Sequence, residues 1–163
     1  MLRVRNPFVA IRRLWYTGGN GIHSPFAYQM VTQVINCPGN YYADRNLYSL
    51  SDRILRPRMT AVRRLMFRLT NYWQPTTVEA PVEYHTYIAS ACKRASIMTS
   101  DKAYISMDSD KGLLMVIPEL QKHKTLWNEW KKRDEVRVTF DLYDVGLAFC
   151  IPKLNKQNYK INW

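Results

Sequence analysis

Apolar residues along this chain follow two rhythms. Up to residue 73 they recur at helical spacing, and beyond it they come in short blocks separated by helical stretches. Pro7 to Tyr16 predicts a short helix with Phe8, Ile11, Leu14 and Trp15 on one side. Thr17-Gly18-Gly19-Asn20-Gly21 breaks it. Ser24 is placed to cap the next helix, and Pro25 sits in the first turn, where a missing N–H costs nothing. Phe26, Met30, Val31, Val34 and Ile35 form the stripe of that helix, and Cys37-Pro38-Gly39-Asn40 ends it. A looser stretch holds Tyr41, Tyr42 and Tyr48. A third helix is expected from Pro57 to Trp73, with Val62, Leu65, Met66, Leu69, Tyr72 and Trp73 inward and Arg64 and Arg68 on another face.

The second half alternates. Strands are expected at Thr76–Ala80, Ala95–Ser100, Ala103–Met107 and Leu113–Ile117. Helices are expected at Val82–Lys93, with Tyr84, Ile88, Ala91 and Cys92 inward, and at Glu119–Lys132, carrying Leu120, Trp127 and Trp130. Val136–Tyr143 and Val145–Ile151 read as a hairpin around Asp144. Alternation places Val138, Phe140 and Leu142 on one face, so Trp130, Val138, Phe140, Leu142, Leu147 and Phe149 are expected to share one core. The whole predicts an α/β sheet with an antiparallel pair at one edge. Five residues, Asp108 to Gly112, join the third and fourth blocks. A parallel crossover needs about a dozen, so these two blocks pair as a hairpin if they pair at all.

Composition adds limits. A chain of 163 residues with 47% hydrophobic and 13% aromatic content can bury a core, which argues against disorder. No apolar run is long enough to cross a bilayer, and Arg12 and Arg13 interrupt any signal-like stretch after Arg3 and Arg5, so no membrane partner and a cytoplasmic location are expected. Cys37, Cys92 and Cys150 are widely spaced, and with His23, His85 and His123 they show no metal-ligand spacing. They read as reduced thiols, with Cys92 and Cys150 in apolar settings, and no metal site is expected.

Charge is uneven. Residues 1–73 hold eleven Arg against Asp44 and Asp52, which is 11 − 2 = +9; the rest holds 13 bases against 11 acids, which is +2. The Arg-rich half could meet an anionic partner, nucleic acid included, although a solvated basic face is the favoured account, because basic charge alone locates nucleic acid weakly. Ser24 beside His23 reads as a cap rather than a nucleophile. Trp127 and Trp130 read as packing rather than base stacking.

His23-Ser24-Pro25-Phe26, Leu65-Met66-Phe67-Arg68-Leu69, Trp130 with Val136-Arg137-Val138-Thr139-Phe140-Asp141-Leu142-Tyr143-Asp144-Val145-Gly146, and Lys156-Gln157-Asn158-Tyr159-Lys160-Ile161 carry a resemblance. They resemble a class I S-adenosylmethionine-dependent methyltransferase family of Bacteroidetes bacteria. Such proteins have a helical leader with a His-Ser-Pro-Phe motif and a sheet that ends in an antiparallel hairpin. The resemblance implies a reduced Rossmann-like methyltransferase sheet (57–163) behind a helical leader (1–56), forming one compact unit. It implies that Glu79, after the first strand, and Asp101, after the second, are the cofactor-binding acids. Glu119 falls on the acceptor side, where the family carries paired Asp residues.

The departures fall where the chemistry of that family lies. After Glu79 the family turns on glycines, which permit positive φ and close backbone approach to the cofactor. This chain has Ala80-Pro81, and Pro81 removes a backbone donor. Asp101 to Leu113 is too short for the strand, helices and crossovers of the full sheet. The expected protein is therefore a degenerate, non-catalytic methyltransferase-like domain without a bound cofactor, serving as a binding or partner subunit. The alternatives are an active enzyme holding S-adenosylmethionine through Glu79 and Asp101, or an Arg-rich nucleic-acid or anion-binding module. The shortened stretch is expected to expose an edge, so residues 103–117, with Tyr104, Ile105 and Leu114, are the expected self-association or partner surface.

Overall fold

A computed structural model of the chain describes residues 21–37, 47, 57–99 and 112–163. The first described helix, α1, spans Pro25–Gln29 and continues as wider π-type turns over Met30–Ile35, where the Asn36 N–H reaches the Val31 carbonyl at 2.9 Å. Ser24 starts it from extended geometry, φ −80° and ψ 123°, and its Oγ accepts from the Ala27 N–H at 3.4 Å. The stripe behaves as its spacing predicts: Met30, Val31, Val34 and Ile35 are buried, and Phe26 packs edge-on against Trp73 and Phe149. Helix α2 spans Pro57–Trp73, the bounds expected from its pattern. Gln74, at φ 52°, ends it in a left-handed cap, with its N–H on the Thr70 carbonyl at 2.9 Å, and Pro75 prevents continuation.

One residue of α2 departs from its expected inward face. Tyr72 is 40% exposed, because it lies at the flank of the stripe. Arg68, on another face from the stripe, is also buried, and its guanidinium donates to the Cys37 carbonyl at 2.6 Å, tying α2 to the end of the leader helix.

Strand β1 is Thr77–Glu79, followed by a 3₁₀ turn at Val82–Tyr84 and helix α3 at His85–Ala91. Then come β2 (Ser96–Met98), β3 (Leu113–Pro118), α4 (Lys124–Lys132), β4 (Val138–Asp141), β5 (Val145–Cys150) and β6 (Gln157–Lys160). These strands form one six-stranded sheet in the order β2-β1-β3-β5-β4-β6. Five run in the same direction and β5 alone is reversed, paired antiparallel to both β3 and β4. The fold is thus mixed α/β with a mostly parallel sheet, an arrangement compatible with a Rossmann-like fold, and the β4–β5 hairpin is the one the alternation predicts.

Ala103–Met107, the block that could pair with Leu113–Ile117 only as a hairpin, lies outside the described residues. Leu113–Met115 pairs with Thr77–Glu79 on one side and with Ala148–Cys150 on the other, so β3 has no free edge where such a hairpin must close. Long-range pairing took both sides, and a local pattern cannot reveal that. This pairing corrects the 113–117 part of the expected partner surface. Leu114 is fully buried, and all of Leu113–Ile117 is interior. Tyr104 and Ile105 lie outside the described residues, as does the Pro7–Tyr16 helix.

Strand alternation splits the interior into two layers. Val78, Leu114, Val116, Val138, Phe140, Leu147 and Phe149 face α1, α2 and α3. Leu113, Met115, Ile117, Ala148 and Cys150 face α4, with Trp127, Trp130 and Val136. Trp130 therefore lies apart from Phe140 and Phe149, which corrects the single core expected from sequence. It is one sheet thickness away, because α4 crosses on the opposite face. β5 carries this division in its sequence: Val145, Leu147 and Phe149 fill one face, and Gly146, Ala148 and Cys150 leave room on the other. A Cβ on Gly146 would lie 2.8 Å from Trp127 Cζ3 and 3.0 Å from Leu120 Cδ1, so glycine is what lets the helix come this close.

Helix α4 also begins later than Glu119. Glu119 adopts φ 47°, and Lys122 and His123 close short turns back to the Glu119 and Leu120 carbonyls. This left-handed residue delays the regular helix to Lys124.

Candidate functional site

In an open α/β sheet the carboxyl ends of the parallel strands are where loops converge and ligands bind. At that edge of this sheet, β1, β3 and β4 end and the reversed β5 begins. A cleft of about 580 Å³ lies there, within the usual range for small-molecule sites. Met59 and Val62 of α2 form its apolar wall, and Glu83 and Tyr84 enter from the turn after β1. Pro118, Glu119, Gln121 and Lys122 come from the turn after β3, and Tyr143 and Asp144 from the β4–β5 turn.

Two loops that make the cleft are clasped together. The Leu120 N–H donates to the Asp144 carbonyl at 3.2 Å, and Gln121 Nε2 donates to the Tyr143 carbonyl at 3.0 Å. The Asp141 carboxylate accepts the Tyr143 N–H at 2.8 Å and fixes the hairpin turn. Each loop carries a non-glycine residue in left-handed backbone, Glu119 at φ 47° and Tyr143 at φ 74°. Strained backbone of this kind is held only where surrounding contacts over-determine it, and it concentrates at functional sites.

The turn after β1 is equally fixed. The His85 ring donates from Nε2 to the Ala80 carbonyl at 2.8 Å, and the Tyr84 N–H bonds to the Pro81 carbonyl at 3.0 Å. Pro81 has φ −55° and ψ 147°. The β1 turn is thus built from proline and a histidine latch, where a glycine-based cofactor loop would present backbone donors.

Tyr84 is 4% exposed, and burial, with the nearby Glu83 carboxylate, pushes its phenol up to about 12. It is a neutral hydroxyl at any physiological pH. Glu119 is exposed and ion-paired to Lys122 at 2.7 Å; that hydrogen bond and charge hold its carboxyl below the usual range.

Of the two described acids singled out from the sequence, only Glu119 lines the cleft, standing at its rim. Glu79 is 2% exposed and does not line it; its register with Met115 sets it on the α4 side of the sheet. Asp101 lies outside the described residues. Glu83, Tyr84, Tyr143 and Asp144 were read as helix, core and turn residues. The signal that could have found them is positional, since Glu83, Glu119 and Asp144 all lie a few residues beyond a strand end. Among the described residues no group of His, Cys, Asp and Glu has a metal-binding arrangement, all three cysteines are free, and no helix is long and apolar enough to cross a membrane. Arg63 lies over the Tyr87 ring at 5.2 Å and Arg68 serves the Cys37 carbonyl, so these two arginines are engaged within the chain. Most other arginines of the first half lie outside the described residues.

Comparison with known proteins finds no matching family model, no matching curated protein and no matching solved structure.

Proposed function

We propose that this chain is a reduced class I methyltransferase-like domain that has lost cofactor-dependent catalysis and works as a binding module. The observation that carries this reading is the β1 turn. Ala80-Pro81, latched by His85, stands where glycine would bring backbone donors to the methionine end of S-adenosylmethionine. The mostly parallel sheet with its single reversed strand supports the family resemblance of the terminal hairpin. The burial of Glu79 away from the cleft supports the loss, because an acid on the α4 side cannot meet a ligand seated beside Glu119. What remains is a shaped cleft with fixed loops, which is the requirement for binding rather than group transfer.

Isothermal titration of the full chain with S-adenosylmethionine tests the reading. Expected is a Kd weaker than about 1 mM. A sub-millimolar affinity that disappears in Asp101→Ala overturns it and restores an active-enzyme reading.

A further inference from the structure

We draw no further inference here: the strongest candidate, the carboxyl-edge cleft lined by Glu83, Tyr84, Glu119 and Asp144, rests on a cluster of acidic side chains, and no independent observation among the described residues points to a ligand.

Discussion

Phe149 joins three parts of the molecule, and its removal gives a sharp test of how they are held. Its ring is fully buried on β5. It meets Phe26 of the His-Ser-Pro-Phe segment at 5.3 Å and 78°, Trp73 at the end of α2 at 4.9 Å and 60°, and Phe140 of β4 at 5.7 Å and 88°. All three are edge-to-face contacts, each worth about 0.5–1.5 kcal/mol beyond the area buried. Truncating a buried Phe to Ala costs about 3–5 kcal/mol, and three such partners place Phe149→Ala toward the upper end. A domain stability of about 5–15 kcal/mol leaves this variant folded enough to measure. The specific claim is that Phe26 anchors the leader through this ring. In a double-mutant cycle of Phe26→Ala and Phe149→Ala, followed by urea denaturation and tryptophan fluorescence, a coupling of about 0.5–1.5 kcal/mol is expected. A loss below about 1 kcal/mol for Phe149→Ala refutes the packing argument. Strict additivity within about 0.3 kcal/mol refutes the anchor.

Gly146→Val places a side chain against Trp127 and Leu120 and should cost about 1–3 kcal/mol, with a shifted Trp127 emission; a neutral or stabilising result would mean that α4 can withdraw freely from β5. Alkaline pH should destabilise the fold. Burial pushes the Cys150 thiol from 9.0 up to about 12, and burial with the Glu83 charge pushes the Tyr84 phenol from 10.0 up to about 12. The unfolded chain therefore releases these protons first, and the folded chain binds more protons than the unfolded one above pH 9.0. Stability contributed by the neutral groups is complete below pH 9.0 and is lost as pH rises toward about 12. Urea midpoints that stay level between about pH 9 and about pH 11 would contradict the burial of these groups.

Much of the local structure was determined by the sequence alone. Pro57–Trp73 declares its helix through a stripe of Val62, Leu65, Met66 and Leu69 closed by Pro75, and the observed bounds are the same. Ser24-Pro25 marks a helix start because both residues act on the backbone within one turn, and the cap forms as read. The β4–β5 hairpin follows from alternation on either side of Asp144, with only neighbouring residues needed. The basic excess and the missing glycines after Glu79 also needed no coordinates. Tertiary structure decided the rest. Periodicity names the buried face of an element and not the layer that covers it, so Trp130 and Phe140, both correctly read as buried, lie on opposite sides of the sheet. The neighbours of β3 come from pairing with residues 27 to 37 positions away, and a local pattern cannot name them. The cleft is of the same kind: Glu83, Glu119 and Asp144 are distant in sequence, each ordinary where it stands, and they meet only because β1, β3 and β4 end at one edge of the sheet.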